Sequence, residues 1–250
     1  DGVIEGGTAA LLEPYLDRAG WRGELRLEVG PLAELVAALD SEGFKVHMHA
    51  IGDRAVRTAL DALERQHERD GGSGPRHVLA HLQLIDPADV GRLAELGVVA
   101  SFQPLWAQRD AYIIDLTEPR LGAERSSRLY PIERVRAAGA ILAAGSDWPV
   151  TSMDALDAME VAVTRRSPDA AAGDAWIPEE RVTLDDILRA YTMGGALAAD
   201  LERETGSIAV GKSADLVVLA RDLYAIAAEE ISEVRIDLTV LEGRVVFRRS

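Results

Sequence analysis

The stretch Lys45-Val46-His47-Met48-His49-Ala50-Ile51-Gly52-Asp53-Arg54 decides the reading of this chain. Its first six residues alternate and predict a short strand, Lys45 to Ala50, that runs into a Gly-Asp corner with a helical pattern directly behind it. Successive side chains of a strand point to opposite faces, so His47 and His49 share one face while Val46, Met48 and Ala50 take the other. His49 lies nearest the strand's carboxyl end, where barrels and open α/β sheets place their chemistry. Asp53 can cap the helix that follows. Taken alone, a histidine here reads more readily as a hydrogen-bonded polar core group than as a ligand. The rest of the chain changes that balance.

Working outward, the same alternation of strand and helix recurs. Pro31 to Gly43 carries Leu32, Leu35, Val36 and Leu39 at helical spacing and stops on a glycine. Behind the His47/His49 strand, a helix from about Arg54 to Arg69 presents Val56, Leu60 and Leu63, and Gly71-Gly72-Ser73-Gly74-Pro75 ends it. His77 to Leu82 is a second strand, and Asp86-Pro87 opens a helix with proline in its first turn. Val98 to Pro104 is a third strand, followed by a long irregular stretch to about Leu129 of the kind that is usually functional. A helix from about Ile132 to Ala138 leads to a fourth strand, Ala140 to Asp147. Further helices are expected at Asp154 to Arg165 and Leu184 to Leu201, the second with Thr183 as N-cap.

This is the rhythm of parallel βαβ units, with four strands rather than the eight of a complete barrel. The last fifty residues change character: apolar runs alternate with Gly and Asp turns, which predicts an antiparallel β-module. The opening, Asp1 to Asp17, has Gly2, Gly6 and Gly7 close together and reads as a loop. A natural chain rarely begins on such a loop, so this one reads as cut.

Composition narrows the function. The 250 residues carry 42 acidic against 27 basic side chains, a formal net charge of −15, and nucleic acid binding needs a clustered cationic surface that this balance does not offer. With no cysteine, disulfides, thiolate metal sites and a cysteine nucleophile are all excluded. A metal would have to be held by nitrogen and oxygen donors, which suits zinc and its first-row neighbours. No apolar run reaches the roughly 18 residues of a membrane span, and no basic-then-apolar leader opens the chain. A cytoplasmic location without membrane contact is the expectation.

The carboxyl ends of the four strands offer, in order, His49, His81, Gln103 and Asp147. On the second strand His77, Leu79 and His81 share a face; on the fourth, Ala143, Gly145 and Asp147 do. Two imidazoles and a carboxylate delivered to one rim are metal-ligand types, and a metal there could lower the pKa of a bound water to about 7. An Asp beside that water could take its proton and pass it to a leaving group. A serine hydrolase is a poor rival, since no Gly-x-Ser-x-Gly elbow is present.

The segments HAIGDRAV with its preceding HM, RHVLAHLQLID, SFQPLW and GSDWPV resemble the successive strand-end motifs of the amidohydrolase superfamily, in particular its amidohydrolase-3 branch. The closing TMGGALAADLERETGSIAVGKSADLVVL resembles that superfamily's exit from the barrel into a small β-sandwich. The resemblance runs nearly end to end. It implies a (β/α)8 TIM-barrel type, of which residues 1–200 supply about the second half, strands five to eight, and residues 201–250 supply part of a small antiparallel β-sandwich domain.

It also implies roles. His49, His81 and Asp147 become metal ligands. Asp147 and His81 become catalytic. Gln103, Trp106 and Trp148 would line the substrate pocket. The cofactor is a divalent metal, zinc first among the candidates, with one or two ions in the intact enzyme. The reaction is metal-dependent hydrolysis of non-peptide carbon–nitrogen bonds in small amide-type or N-formyl substrates.

Two departures matter. Ala80 stands where relatives commonly carry Glu, which bears on the residues around the ligands. The first-strand His-x-His pair and the fourth-strand bridging ligand of the family are not in this sequence. Reading His47 and His49 as that pair conflicts with the AIGD that follows and with the order of the later motifs. The chain is then expected to be the carboxyl-terminal half of a larger enzyme, associating with its amino-terminal half or as a homo-oligomer. The alternative is a truncated or split subunit, catalytically incomplete without those ligands.

Overall fold

The computed structural model describes residues 1–72, 74, 76–168 and 174–250. Ser73 and Pro75, part of the expected turn after the second helix, lie outside the described residues. Among the described residues, no helix is long and apolar enough to cross a membrane. The chain divides into two compact units: residues 1–102 with 109–142, and residues 103–108 with 143–250.

The first unit is built on the parallel strands read from the sequence. Helix α1 (Val29–Ser41) leads to β1 (His47–Ala50), then α2 (Asp53–Asp70), β2 (Val78–His81), α3 (Val90–Glu95) and β3 (Val99–Phe102). After α4 (Glu118–Ser126) and α5 (Ile132–Ala137) comes β4 (Ile141–Ala144), whose first two residues belong to this unit and whose last two belong to the second. The sheet order is β1-β2-β3-β4. β2 runs parallel to both β1 and β3. Four strands in this order make an open sheet, not a closed barrel. β2 is buried along its whole length, as befits a strand covered on both faces by crossover helices. Val56, Leu60 and Leu63 of α2 are buried, as their helical spacing implies; in α1 Val36 of the expected stripe is buried together with Ala33, whereas Leu35 is exposed.

The opening forms neither helix nor strand, as expected, yet it is not a surface loop. Ile4, Ala9, Ala10, Leu11 and Tyr15 are all buried. Polar groups fasten it: Tyr15 Oη donates to the Ala9 carbonyl at 2.9 Å and Trp21 Nε1 to the Gly7 carbonyl at 2.7 Å.

Three local expectations change. The stretch before Leu129 is not irregular: a π-helical turn at Ile113–Thr117 continues into α4. Gly122 inside α4 has non-helical backbone (φ 77°), and this kink breaks the apolar spacing that would have revealed a helix. The N-cap of α2 is Gly52, and Asp53 is its first residue. The Asp53 carboxylate accepts from the Leu12 and Arg54 amides at 2.8 and 3.0 Å, so it ties the opening loop to the helix start rather than capping it. Asp86 does cap as expected, accepting from the Ala88 amide, though the first turn there is 3-10 and α3 begins at Val90.

The second unit contains α6 (Ala155–Thr164), capped by the Asp154 side chain. α7 (Leu184–Arg189) follows, with the Thr183 cap completed into a capping box by Asp186. Ala190–Gly194 is a π-helical turn that passes into α8 (Gly195–Ala198), so the expected helix to Leu201 stops three residues early. Strands β5 (Leu216–Leu219), β6 (Ile236–Leu241) and β7 (Arg244–Arg248) form the expected antiparallel module. Val217, Val218, Val245, Val246 and Phe247 of these strands are exposed.

Candidate metal centre

His49 stands at the end of β1, and its ring and that of His81 meet edge to face with centroids 4.5 Å apart. Strand register alone does not explain this. Ala50 is paired with His81, and His49 with Ala80, so the pleat would put His81 on the face opposite His49. The strand alternation ends at His81, whose backbone is left-handed (φ 79°), as is that of Leu82 (φ 50°). This bend, uncommon for a non-glycine residue, frees the ring from the pleat and lets it meet His49. The expected shared face of His77, Leu79 and His81 therefore does not determine where the His81 ring goes.

His49 is fixed by a residue that the sequence reading passed over. Asp1 Oδ1 lies 3.0 Å from His49 Nδ1 and accepts from the Ile51 amide at 3.1 Å. Asp1 Oδ2 accepts from the Gly52 and Ala10 amides at 2.8 and 2.9 Å. The Asp1 side chain is wholly buried, while that of His49 is 39% exposed. A Cβ at Gly52 would sit 2.0 Å from the Ala10 carbonyl oxygen; this close approach of two backbones requires glycine and is the signal that could have drawn attention to the opening segment. Elsewhere in the first unit, Gln83 Nε2 and Thr117 Oγ1 both donate to Glu5 Oε1, at 3.0 and 2.6 Å.

Gln103, Trp106, Asp147 and Trp148 all belong to the second unit. β4 ends at Ala144, so Asp147 is not on the strand, as expected from alternation, but in the turn beyond it, with left-handed backbone (φ 53°). The turn is tied down. Trp106 Nε1 donates to Thr151 Oγ1 at 3.1 Å, and Thr151 Oγ1 donates to the Ser146 carbonyl at 2.9 Å. The Ser146 hydroxyl accepts from the Trp148 amide at 3.2 Å, and the Val150 amide donates to the Asp147 carbonyl at 2.9 Å. Gln103 is buried and Trp148 is exposed.

Tyr191, on the π-helical turn, was not singled out by sequence. Its hydroxyl is buried with no hydrogen-bond partner among the described residues. Burial first, and the Asp154 charge second, push its phenol well above the ordinary range, so it stays a neutral O–H. π-Turns of this kind often mark functional sites.

Among the described residues, no three His, Asp or Glu side chains stand together as a group able to hold a metal. The first unit supplies a pair of imidazoles. That pair suits the nitrogen-donor part of a site, and a carboxylate on the remote nitrogen of one ring is the usual outer partner of a metal-binding histidine. Two of the three candidate ligands, His81 and Asp147, sit in left-handed backbone, the kind of outlier that clusters at functional positions.

Parallel strands alternating with helices, with the His49 and His81 rings in contact at the ends of two neighbouring strands, define an α/β protein built on an open parallel sheet. The family model for the amidohydrolase family, Amidohydro_3, matches residues 1–247, and the chain belongs to that family. It is 34% identical over 233 residues to Protein LONG AFTER FAR-RED 3 of Arabidopsis thaliana, covering 93% of this chain and 39% of that protein. It is 31% identical over 252 residues to the putative amidohydrolase YtcJ of Bacillus subtilis (100% and 46%). With N-substituted formamide deformylase of Arthrobacter pascens the identity is 28% over 217 residues (87% and 39%).

Among solved structures, an uncharacterized metal-dependent hydrolase from Pyrococcus horikoshii superposes with a TM-score of 0.77 at 27% identity, over 91% of this chain and 44% of that one. The chain thus spans less than half the length of each of these four relatives. The fold likeness places its open sheet within a TIM-barrel-like α/β architecture.

Proposed function

We propose that the intact protein is a metal-dependent hydrolase of carbon–nitrogen bonds other than peptide bonds, acting on small amide-type or N-formyl compounds. The observation that carries this reading is the contact between the His49 and His81 rings at the ends of adjacent parallel strands, with His49 anchored from behind. The name of the Arthrobacter pascens relative supports the substrate class.

His49 and His81, joined by Asp147, would hold a divalent ion, zinc first among the candidates. Such an ion supplies Lewis acidity and a water able to act as a nucleophile at neutral pH. The chain's own residues do the rest. Asp147, as a carboxylate in a constrained turn, takes a proton from the attacking water and returns it to the departing amine nitrogen. His81, beside His49, would be the second nitrogen donor to the ion, its remaining ring N–H directed away from the reacting carbonyl. Gln103, Trp106 and Trp148 contribute to the substrate pocket, and Tyr191 is a further neutral donor on the same unit as Asp147.

The test is a panel of amide and N-formyl substrates with the intact protein, before and after chelation and in His81→Ala. Turnover that vanishes with chelation and with the substitution supports the reading. Turnover and metal content unchanged in His81→Ala would refute it.

A second reading is favoured by the absence of a three-ligand group among the described residues: this chain alone is catalytically incomplete and needs the longer protein or another copy. The exposed valines and Phe247 of β5 to β7 fit a sheet face completed by the remainder of the intact protein. Equal turnover by the isolated 250-residue chain and the intact protein would exclude this.

A further inference from the structure

We propose that Asp1 is a positioning residue for His49: it holds the ring with the proton on Nδ1, so that Nε2 carries the lone pair offered to a metal. The proposal rests on the hydrolase reading only for the identity of what Nε2 binds.

The geometry leaves the Asp1 carboxylate little freedom. Its two oxygens accept three backbone amides, from Ala10, Ile51 and Gly52, at 2.8 to 3.1 Å, and its side chain is fully buried. Ile51 and Gly52 directly follow β1, so one carboxylate fixes both the turn that ends the strand and the ring that projects from it. An ionised carboxylate can only accept hydrogen bonds. Its 3.0 Å contact with His49 Nδ1 therefore requires the proton on Nδ1. A neutral imidazole has one donor and one acceptor nitrogen, and Nε2 becomes the acceptor. The ring's partial exposure suits a group that must meet a ligand, whereas the complete burial of Asp1 suits one that acts only through another residue.

The rival is a purely structural role, in which Asp1 ties the opening loop to the end of β1 and the histidine is incidental. Removing the carboxylate would then cost stability and leave the ring and its metal affinity as they are.

The experiment uses the intact protein labelled with 15N-histidine. Two-bond 15N–1H correlation spectra of the metal-free form report which ring nitrogen of His49 carries the proton, and titration with Zn2+ gives the affinity. The expected result is an Nδ1-protonated His49 in the wild type, loss of that single tautomer in Asp1→Asn, and a fall in Zn2+ affinity of about 10- to 100-fold. In a His49→Ala background, Asp1→Asn should cause little further loss of affinity, because the two changes act through one ring.

An Nε2-protonated His49 in the wild type overturns the proposal without any variant, so poor folding of Asp1→Asn cannot shield it. An equal affinity loss with and without His49 overturns it as well. Failure of the wild type to bind Zn2+ while His49 remains Nδ1-protonated would sink the hydrolase reading and leave the positioning role of Asp1 standing.

Discussion

The rings of His49 and His81 touch although the pairing of their strands sets them on opposite faces of the sheet. Left-handed backbone at His81 makes the contact possible. A side chain with a Cβ held at positive φ carries a local cost of order 1–3 kcal/mol, which the surrounding structure must offset.

Substitutions at that position separate the ring from its backbone. His81→Gly and His81→Ala both remove an imidazole, and both should lose metal. Only alanine keeps the strain, so the glycine variant should be the more stable of the two by roughly 1–2 kcal/mol. Chemical denaturation of the two variants of the intact protein checks the order. Alanine equal to or better than glycine would mean that φ 79° is not the working conformation of residue 81.

The Asp147 turn makes a different demand. Thr151 links the Trp106 indole to the Ser146 carbonyl through one hydroxyl. Thr151→Val keeps the shape and removes both bonds. On a substrate identified by the panel, kcat should fall about tenfold, the worth of one to two hydrogen bonds, with KM little changed. Thr151→Ser should restore it. An equal loss in the serine variant would show that the methyl group, not the hydroxyl, matters.

Asp53 gives a pH-dependent expectation. Burial is the main cause raising its pKa above the ordinary carboxylate value of 3.8, partly opposed by the hydrogen bonds from the Leu12 and Arg54 amides. With the folded value above the unfolded one, the native state binds more protons in the interval between them. The stability contributed by this group is thus complete below about 3.8 and is lost as pH rises through the folded value. Asp53→Asn keeps an acceptor for both amides and avoids burying a charge. It should be at least as stable as the wild type at pH 7, with the advantage vanishing towards pH 3.5. Thermal melts across that range decide it; a variant less stable at pH 7 by the same amount as at low pH would contradict the burial argument.

Much of this architecture was legible from spacing. The four strand centres and the flanks of α2 follow from alternation and from the recurrence of Val56, Leu60 and Leu63, because those residues are buried where the pattern says they are. The antiparallel module was legible from its apolar runs separated by Gly and Asp turns, although Val217, Val218, Val245, Val246 and Phe247 of those runs are exposed. The strands are shorter than their apolar runs, since alternation persists beyond the last ladder bond; this is why Asp147 was assigned to a strand that ends at Ala144.

What spacing could not show are the consequences of single backbone angles and of contacts distant in sequence. Gly122 conceals α4, positive φ at His81 reverses the face of its ring, and the Asp1 carboxylate reaches residues some fifty positions away. The strand-end histidines could be named from the sequence, but not the buried group that holds one of them in place.

The most direct test is the metal content of the purified intact protein, measured by inductively coupled plasma mass spectrometry for the wild type and for His49→Ala, His81→Ala and Asp147→Ala, each with wild-type circular dichroism. The expected result is a divalent metal, zinc foremost, in the wild type and a loss of bound metal in each of the three variants. The same metal content in all four proteins, or no metal in the wild type after growth with zinc, would contradict a centre built on these side chains.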